Sequence, residues 1–449
     1  MHSTATTTDG WRGLPGPAWA EPQLLAALDH CASRDVLGDQ VLVGHDARAG
    51  SRELAHLAAD LLAHHGITTH LATTPAPTPA VGHLVHQRPD LSAAVIVTAS
   101  HNPPGYIGIK LRDSWGRGIV WPQPPAGAVL DPAQVTARKH ARTDIVPPYV
   151  TAVGDALSDE ARWFDGDVYL DAAHGAVGVL AGRLPGVQVL RERPLPFFAG
   201  HTPDPVPRAH AETTARTLLG RLAHPERALL AMTDGDGDRL VLFTHRSGYI
   251  PSSEQAAALL YARGLTVKRL ITTEVAPRMA VRAAKRANPG LTVTETSVGF
   301  KHIVTAWLGE PAPALALEPN GALVHVTGLG DYFERDALGA LTTVLRSFPS
   351  LETLDDAIAD VRRAHPHTQI VHTTPTQLNE VLHTLPGLLP TWRADISGDV
   401  AHYDDGAHGH IAVRASGTEP GTRLYIEAPA ETVETLTSEL GGPVFKLSA

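Results

Sequence analysis

Two short stretches of this 449-residue chain carry side chains able to do chemistry. In the first, Ser100-His101-Asn102 is followed by Lys110 ten residues after the serine. A hydroxyl, an imidazole and an amine on one loop could together carry a group transfer. In the second, Asp234, Asp236 and Asp238 stand at alternate positions with Gly235 and Gly237 between them. Carboxylates so close raise one another's pKa unless something offsets their charge. A hard divalent cation bound through oxygens would do so, and the glycines let the backbone curl until the oxygens converge. An EF-hand is excluded: its sixth and twelfth loop positions, which require Gly and Glu, hold Arg239 and His245. A further cluster, Arg414 to Arg423, combines two arginines with hydroxyls and the free backbone around Gly417, the makings of an anion cradle.

The elements that must position these groups can be read from periodicity. Ala94–Val97 is a short apolar run, hence a buried strand, and it stops at the Asn-Pro and Pro-Gly turn signals after Ser100. Gln40 to His45 reads as a strand running into Asp46-Ala47-Arg48. The helix that follows, from about Ser51, has Leu54, Leu57, Ala58, Leu61 and Leu62 on one stripe. Ser51 is expected to cap its start and Gly66 its end. Ile67 to Ala72 is the next strand. Strand, helix and strand in succession imply a largely parallel sheet, whose functional loops gather at the strands' carboxyl ends, where Asp46, Arg48 and Ser100 lie. Asp167 to Leu170, Ala228 to Met232 and Leu240 to Phe243 read as strands around the aspartate loop. Arg269 to Thr272 and Ala314 to Leu317 read likewise, with helices over Gln255 to Arg263 and Leu354 to Val361. Residues 122–146 have no clear period and read as a loose connection, with a boundary near Pro147-Pro148. The expected units are 1–146, 147–247, 248–346 and 347–449.

Composition bounds the function. Apolar residues make up 43% of the chain although aromatics are only 5%, so several cores can be built. A formal net charge of −10 argues against non-specific binding to nucleic acid or an anionic membrane. The single cysteine, Cys31, excludes an internal disulfide and a cysteine zinc site and reads as a small buried residue. The N-terminus lacks a signal-peptide core and no run approaches a membrane span, so a soluble cytoplasmic protein is expected.

Taken together, the motifs resemble those of the α-D-phosphohexomutases, the phosphomannomutase/phosphoglucomutase group. TASHNP at 98–103 with Gly108-Ile109-Lys110 resembles that family's phosphoserine loop. DGDGDR at 234–239 resembles its metal loop, and Arg414-Ala415-Ser416-Gly417-Thr418-Glu419-Pro420 its phosphate-binding loop. Thr8-Asp9-Gly10-Trp11-Arg12-Gly13 and Thr296 to Lys301 also match, in the family's order. The resemblance implies an α/β fold of four domains around a central cleft, three α/β units with mixed sheets and a smaller α+β C-terminal domain. It implies that Ser100 carries phosphate, with Lys110 as general acid/base, His101 positioning the loop and Arg12 facing phosphate. Mg²⁺ would be held by Asp234, Asp236, Asp238 and a phosphate oxygen on Ser100. Arg239 and Lys301 would face the substrate, and Arg414, Ser416, Gly417, Thr418 and Arg423 would grip the phosphate that does not react. Glu318 and Asn320 fill the slots of the sugar-reading loop, although Asn320 stands where Ser is usual and Ala322 where His is usual. Ile107 likewise replaces a common Asn. The implied activity is interconversion of hexose 1- and 6-phosphates of the mannose or glucose type, by a monomer or weak dimer. The altered 318–322 loop leaves open an amino sugar, an unusual phosphorylated sugar or cyclitol, a phosphatase, and a non-catalytic sugar-phosphate-binding homologue.

Overall fold

A computed structural model describes residues 5–7, 9–13, 20–119, 122–158, 164–262, 266–325, 332–396, 398–415, 421–442 and 444–446. These residues form an α/β protein built on four sheets. The first sheet is mixed and seven-stranded, in the order Ala5–Thr7, Gly10–Gly13, Ile107–Asp113, Ala93–Val97, Gln40–His45, Thr68–Ala72, Ala141–Thr143. Its central strands are parallel, and Ile107–Asp113 runs antiparallel to Ala93–Val97. The expected strand at 94–97 is therefore present, and its apolar run is continuous because both faces are covered. Val95 and Val97 join Val41 and Val43 beneath the helices Ala20–Ala32 and Ser51–His64. Ala94, Ile96 and Leu42 face the opposite core, with Val81 and Val85 of helix Thr78–Gln87.

Three local expectations change. Ser51 does not cap its helix: Gly50 is the N-cap, in the left-handed region, and the Ser51 hydroxyl donates to Asp46 instead. The stretch 122–146 contains a short strand, Ala141–Thr143, paired in parallel with Thr68–Ala72. Pro147 and Pro148 do not break the chain. They lie in the first turn of helix Val146–Ser158, where a missing N–H costs nothing.

The second sheet orders Gly248–Ile250, Leu240–Thr244, Ala228–Thr233, Asp167–Asp171 and Val187–Leu190. It runs past the expected division at 247, because Gly248–Ile250 pairs back on Leu240–Thr244. The third sheet holds Thr292–Thr296, Arg269–Thr273, Ala314–Glu318 and Ala322–His325. Helix Leu351–Ala364 packs through Leu354, Ile358 and Val361 into the core shared by the first three sheets. The fourth sheet is wholly antiparallel and has its own core around Ile370, Ile411 and Leu424. It docks on the third through Val275, Val400 and Ala412, and through Arg278 and Arg282 bonded to Glu427. Among the described residues no helix is long and apolar enough to cross a membrane.

Candidate active site

Ser100 lies just beyond the carboxyl end of Ala93–Val97, 1% exposed, with a positive φ of 53° that a non-glycine residue holds only when its surroundings impose it. Those surroundings are Asp46 and Arg48. The Arg48 guanidinium donates to the carbonyls of Ser100, Asn102, Pro103 and Tyr106 at 2.6–3.2 Å. Asp46 accepts from Arg48 Nε, Ser51 and Thr98, and the Thr98 hydroxyl in turn receives the Ser100 amide. The sequence reading placed Asp46 and Arg48 at the right strand end without seeing that Arg48 holds the loop. Its four acceptors are backbone carbonyls, which leave no mark on residue type.

The aspartate loop meets this turn directly. Ser100 Oγ donates to Asp234 Oδ2 at 2.8 Å. Any Cβ at Gly235 would stand 2.7 Å from the Ser100 carbonyl oxygen, so only glycine permits the approach. Carboxylate oxygens of Asp234, Asp236 and Asp238 lie within 4.8 Å of one another, and all three residues are buried. Asp236 Oδ1 and Asp238 Oδ1 are buried without a hydrogen-bond partner. Two orphaned anionic oxygens facing a third carboxylate fit a divalent cation, and little else would compensate them. Burial, reinforced by Asp238 and Asp236, pushes the Asp234 carboxyl well above the usual range.

Part of that acidity is already offset by buried cations. Lys110 Nζ donates to Asp236 Oδ2 at 2.8 Å and to Asp238 Oδ2 at 2.7 Å, and it lies 3.1 Å from Asp9. Burial works against its charge, but Asp236, Asp238 and Asp9 outweigh that and raise its pKa above the ordinary lysine value. With no cation on the aspartates, these pairs favour the ammonium form of Lys110. His101 is the reverse. Burial, then Arg239 and Arg12, holds it well below the usual imidazole range, and its Nδ1 lies 3.3 Å from Ser100 Oγ. Arg12 donates to Asn102 Oδ1 at 2.8 Å, with His101 Nδ1 at 3.4 Å, and so sits on the serine loop.

Asp9, Arg112 and Arg335 were not singled out by the sequence reading. Asp9 bonds Arg112 at 3.1 Å and contacts Arg335, and Arg335 reaches Asp238 at 3.3 Å. Burial would raise the Asp9 carboxyl, but Arg112, Arg335 and Lys110 hold it well below its ordinary value. Asp9 could have been found in the turn that contributes Arg12. Arg335 carries no signal, being one charged residue before an apolar helix.

Glu318, 5% exposed at the end of Ala314–Glu318, accepts from Asn320 Nδ2 at 2.8 Å. Burial raises its pKa despite Arg335 and Asn320. The loop is joined to the aspartate loop by the Leu240 amide donating to the Gly321 carbonyl. A Cβ at Gly321 would press on Val206 and on the Arg239 side chain. Arg239 lies 3.9 Å from Asp234 and 3.6 Å from Asp204. Glu318, Asn320 and Arg239 are thus brought to the same site as Ser100. Lys301 opens helix Phe300–Gly309, whose Phe300 ring lies under Arg335, and its side chain makes no ion pair among the described residues. Arg414 and Arg423 face each other across adjacent strands of the fourth sheet. Like charges placed directly opposite are unfavourable unless an anion joins them. Ser416, Gly417 and Thr418 lie outside the described residues.

Comparison with known proteins agrees with this geometry. A family profile described as phosphoglucomutase/phosphomannomutase, alpha/beta/alpha domain I, matches residues 3–123. Phosphoglucosamine mutase of Thermus thermophilus is 28% identical, covering 98% of this chain and 97% of its own. Phosphoglucosamine mutase of Clavibacter sepedonicus is also 28% identical, with 97% of each chain covered. A solved Thermus thermophilus structure, phosphomannomutase by assignment, superposes with a TM-score of 0.73 at 25% identity over 98% of each chain. The serine loop, the acidic loop and the sugar loop converge in one α/β scaffold, and over nearly its whole length the chain is similar to phosphoglucosamine mutases and to a phosphomannomutase-type structure.

Proposed function

We propose that the protein moves a phosphoryl group reversibly between the 1- and 6-positions of an amino-sugar phosphate. The observation that carries the reading is Ser100 Oγ at 2.8 Å from the three-carboxylate loop, with the Lys110 ammonium on the loop's other side. The first expectation, a mannose- or glucose-type substrate, gives way because the curated relatives are named phosphoglucosamine mutases.

Ser100 carries the phosphoryl group in the active form. A sugar hydroxyl attacks that phosphorus, the bond to Ser100 Oγ breaks, the proton given up by the hydroxyl is balanced by one gained at Ser100 Oγ, and the product is a bound bisphosphate. The bisphosphate turns over, and Ser100 Oγ takes the other phosphoryl group back. Mg²⁺ held by Asp234, Asp236 and Asp238 would offset phosphoryl charge when bound. Lys110 presents a positive charge and a proton to the same oxygens, and Arg12 steadies the loop from the far side. Glu318 accepts from sugar hydroxyls, while the Asn320 amide holds one of its oxygens and fixes its orientation. Arg414, Arg423 and the 416–418 segment take the phosphate that is not reacting. Binding at that distal end orients the reacting end.

The test is a substrate panel with Ser100→Ala as control. Glucosamine 6-phosphate should be converted with the highest kcat/KM, above N-acetylglucosamine, glucose and mannose phosphates, and Ser100→Ala should abolish conversion. Wild-type rates in Ser100→Ala would overturn the mechanism. Preference for mannose or glucose phosphate would overturn the substrate, and failure on all four would favour an unusual sugar.

A further inference from the structure

Four buried charges from four separate segments close a ring of alternating sign. Lys110 Nζ lies 3.1 Å from Asp9 Oδ2 and 2.7 Å from Asp238 Oδ2. Arg335 Nη2 lies 3.3 Å from the same Asp238 oxygen and contacts the same Asp9 oxygen. The side chains are 13%, 1%, 0% and 6% exposed for Asp9, Lys110, Asp238 and Arg335, so solvent screens them little. Both cations thus use Asp238 Oδ2, and the unpartnered Oδ1 is left for the cation site. Arg112 and Glu334 extend the ring outward: Arg112 bonds the other Asp9 oxygen, and Glu334 lies 3.7 Å from Arg335.

We propose that Arg335 is a built-in counter-charge that holds the three-carboxylate loop together without a metal and limits how tightly a divalent cation binds there. The inference rests on the cation-site reading above. A guanidinium and a divalent ion that face one carboxylate in a dry site repel each other. Removing the guanidinium therefore strengthens cation binding, while the cation-free protein loses the charge that kept its aspartates apart in energy. Asp9 acts in the opposite sense. It draws Lys110 and Arg335 away from Asp238, and its loss leaves both bearing fully on that carboxylate. Arg335 is thus a positioning residue. A merely structural one would give the other sign, since loosening a ligand set weakens binding.

Calorimetric titration of the EDTA-stripped full-length chain with Mg²⁺ and Mn²⁺, without sugar, tests this. Arg335→Gln should lower the Kd at least about tenfold, the scale of a nearby unit charge at low dielectric. It should also lower Tm in EDTA and widen the rise in Tm on adding Mg²⁺. Arg335→Lys, which keeps the charge, should stay near wild type, and Asp9→Asn should raise the Kd. An unchanged or raised Kd in Arg335→Gln overturns the inference. If that variant does not fold, an unchanged Kd in Asp9→Asn does the same. A wild-type chain that binds neither ion overturns the cation-site reading as well, so the two failures are distinguishable.

Discussion

Arg48→Lys isolates what the serine loop needs. The Arg48 guanidinium makes five side-chain hydrogen bonds: one to Asp46, and one each to the carbonyls of Ser100, Asn102, Pro103 and Tyr106. Lysine keeps the charge beside Asp46 but offers three donors from a single point. At least two acceptors therefore lose their donor. At about 1–3 kcal/mol for each buried acceptor left unpaired, the loss is about 2–6 kcal/mol. The loop can escape most of it by peeling outward, so the effect falls on local order more than on global stability. The positive φ of Ser100 favours that release, because the strain disappears once the loop is free. Mutase activity should fall about a hundredfold in kcat, the scale of a small misplacement of a reacting group. Hydrogen exchange followed by mass spectrometry should show lost protection at Asn102 and Tyr106, whose amides are bonded to Ala99 and Pro103. Tm should drop only modestly. A variant with wild-type kcat and wild-type exchange across 100–106 would refute the claim that Arg48 holds the loop.

Two further outcomes are expected. Gly235→Ala places a methyl 2.7 Å from the Ser100 carbonyl oxygen and should separate the serine from the aspartates, removing most activity while the far-ultraviolet circular dichroism is unchanged; retained activity would show that the approach is not required. His410 is buried next to His402 and near Arg278 and Arg282, and burial, then those cations, pushes its pKa down to about 3. Because the folded value is below the unfolded one, stability is lost as pH falls below the unfolded pKa of about 6.5. Denaturant unfolding should therefore show wild type losing about 2 kcal/mol more than His410→Gln between pH 7 and pH 5, and equal losses would contradict the assignment.

The sequence by itself determined the chemistry and the local elements. The three aspartates could be named from their types and spacing, whereas Ser100 and Glu318 took their roles from the resemblance of their loops to the phosphohexomutase motifs. Strands such as Ala93–Val97 could be named because a two-faced apolar run has one good solution. Tertiary structure alone decided what those groups are worth. Whether Lys110 is a base or an ammonium depends on Asp9, Asp236 and Asp238, which come from distant parts of the chain. Arg48 acts on backbone carbonyls, Arg335 arrives from 326 residues beyond Asp9, and Gly235 matters only because another loop's carbonyl stands against it. Local pattern records what a residue can do. Charge, burial and close approach are properties of neighbours that only folding brings into contact.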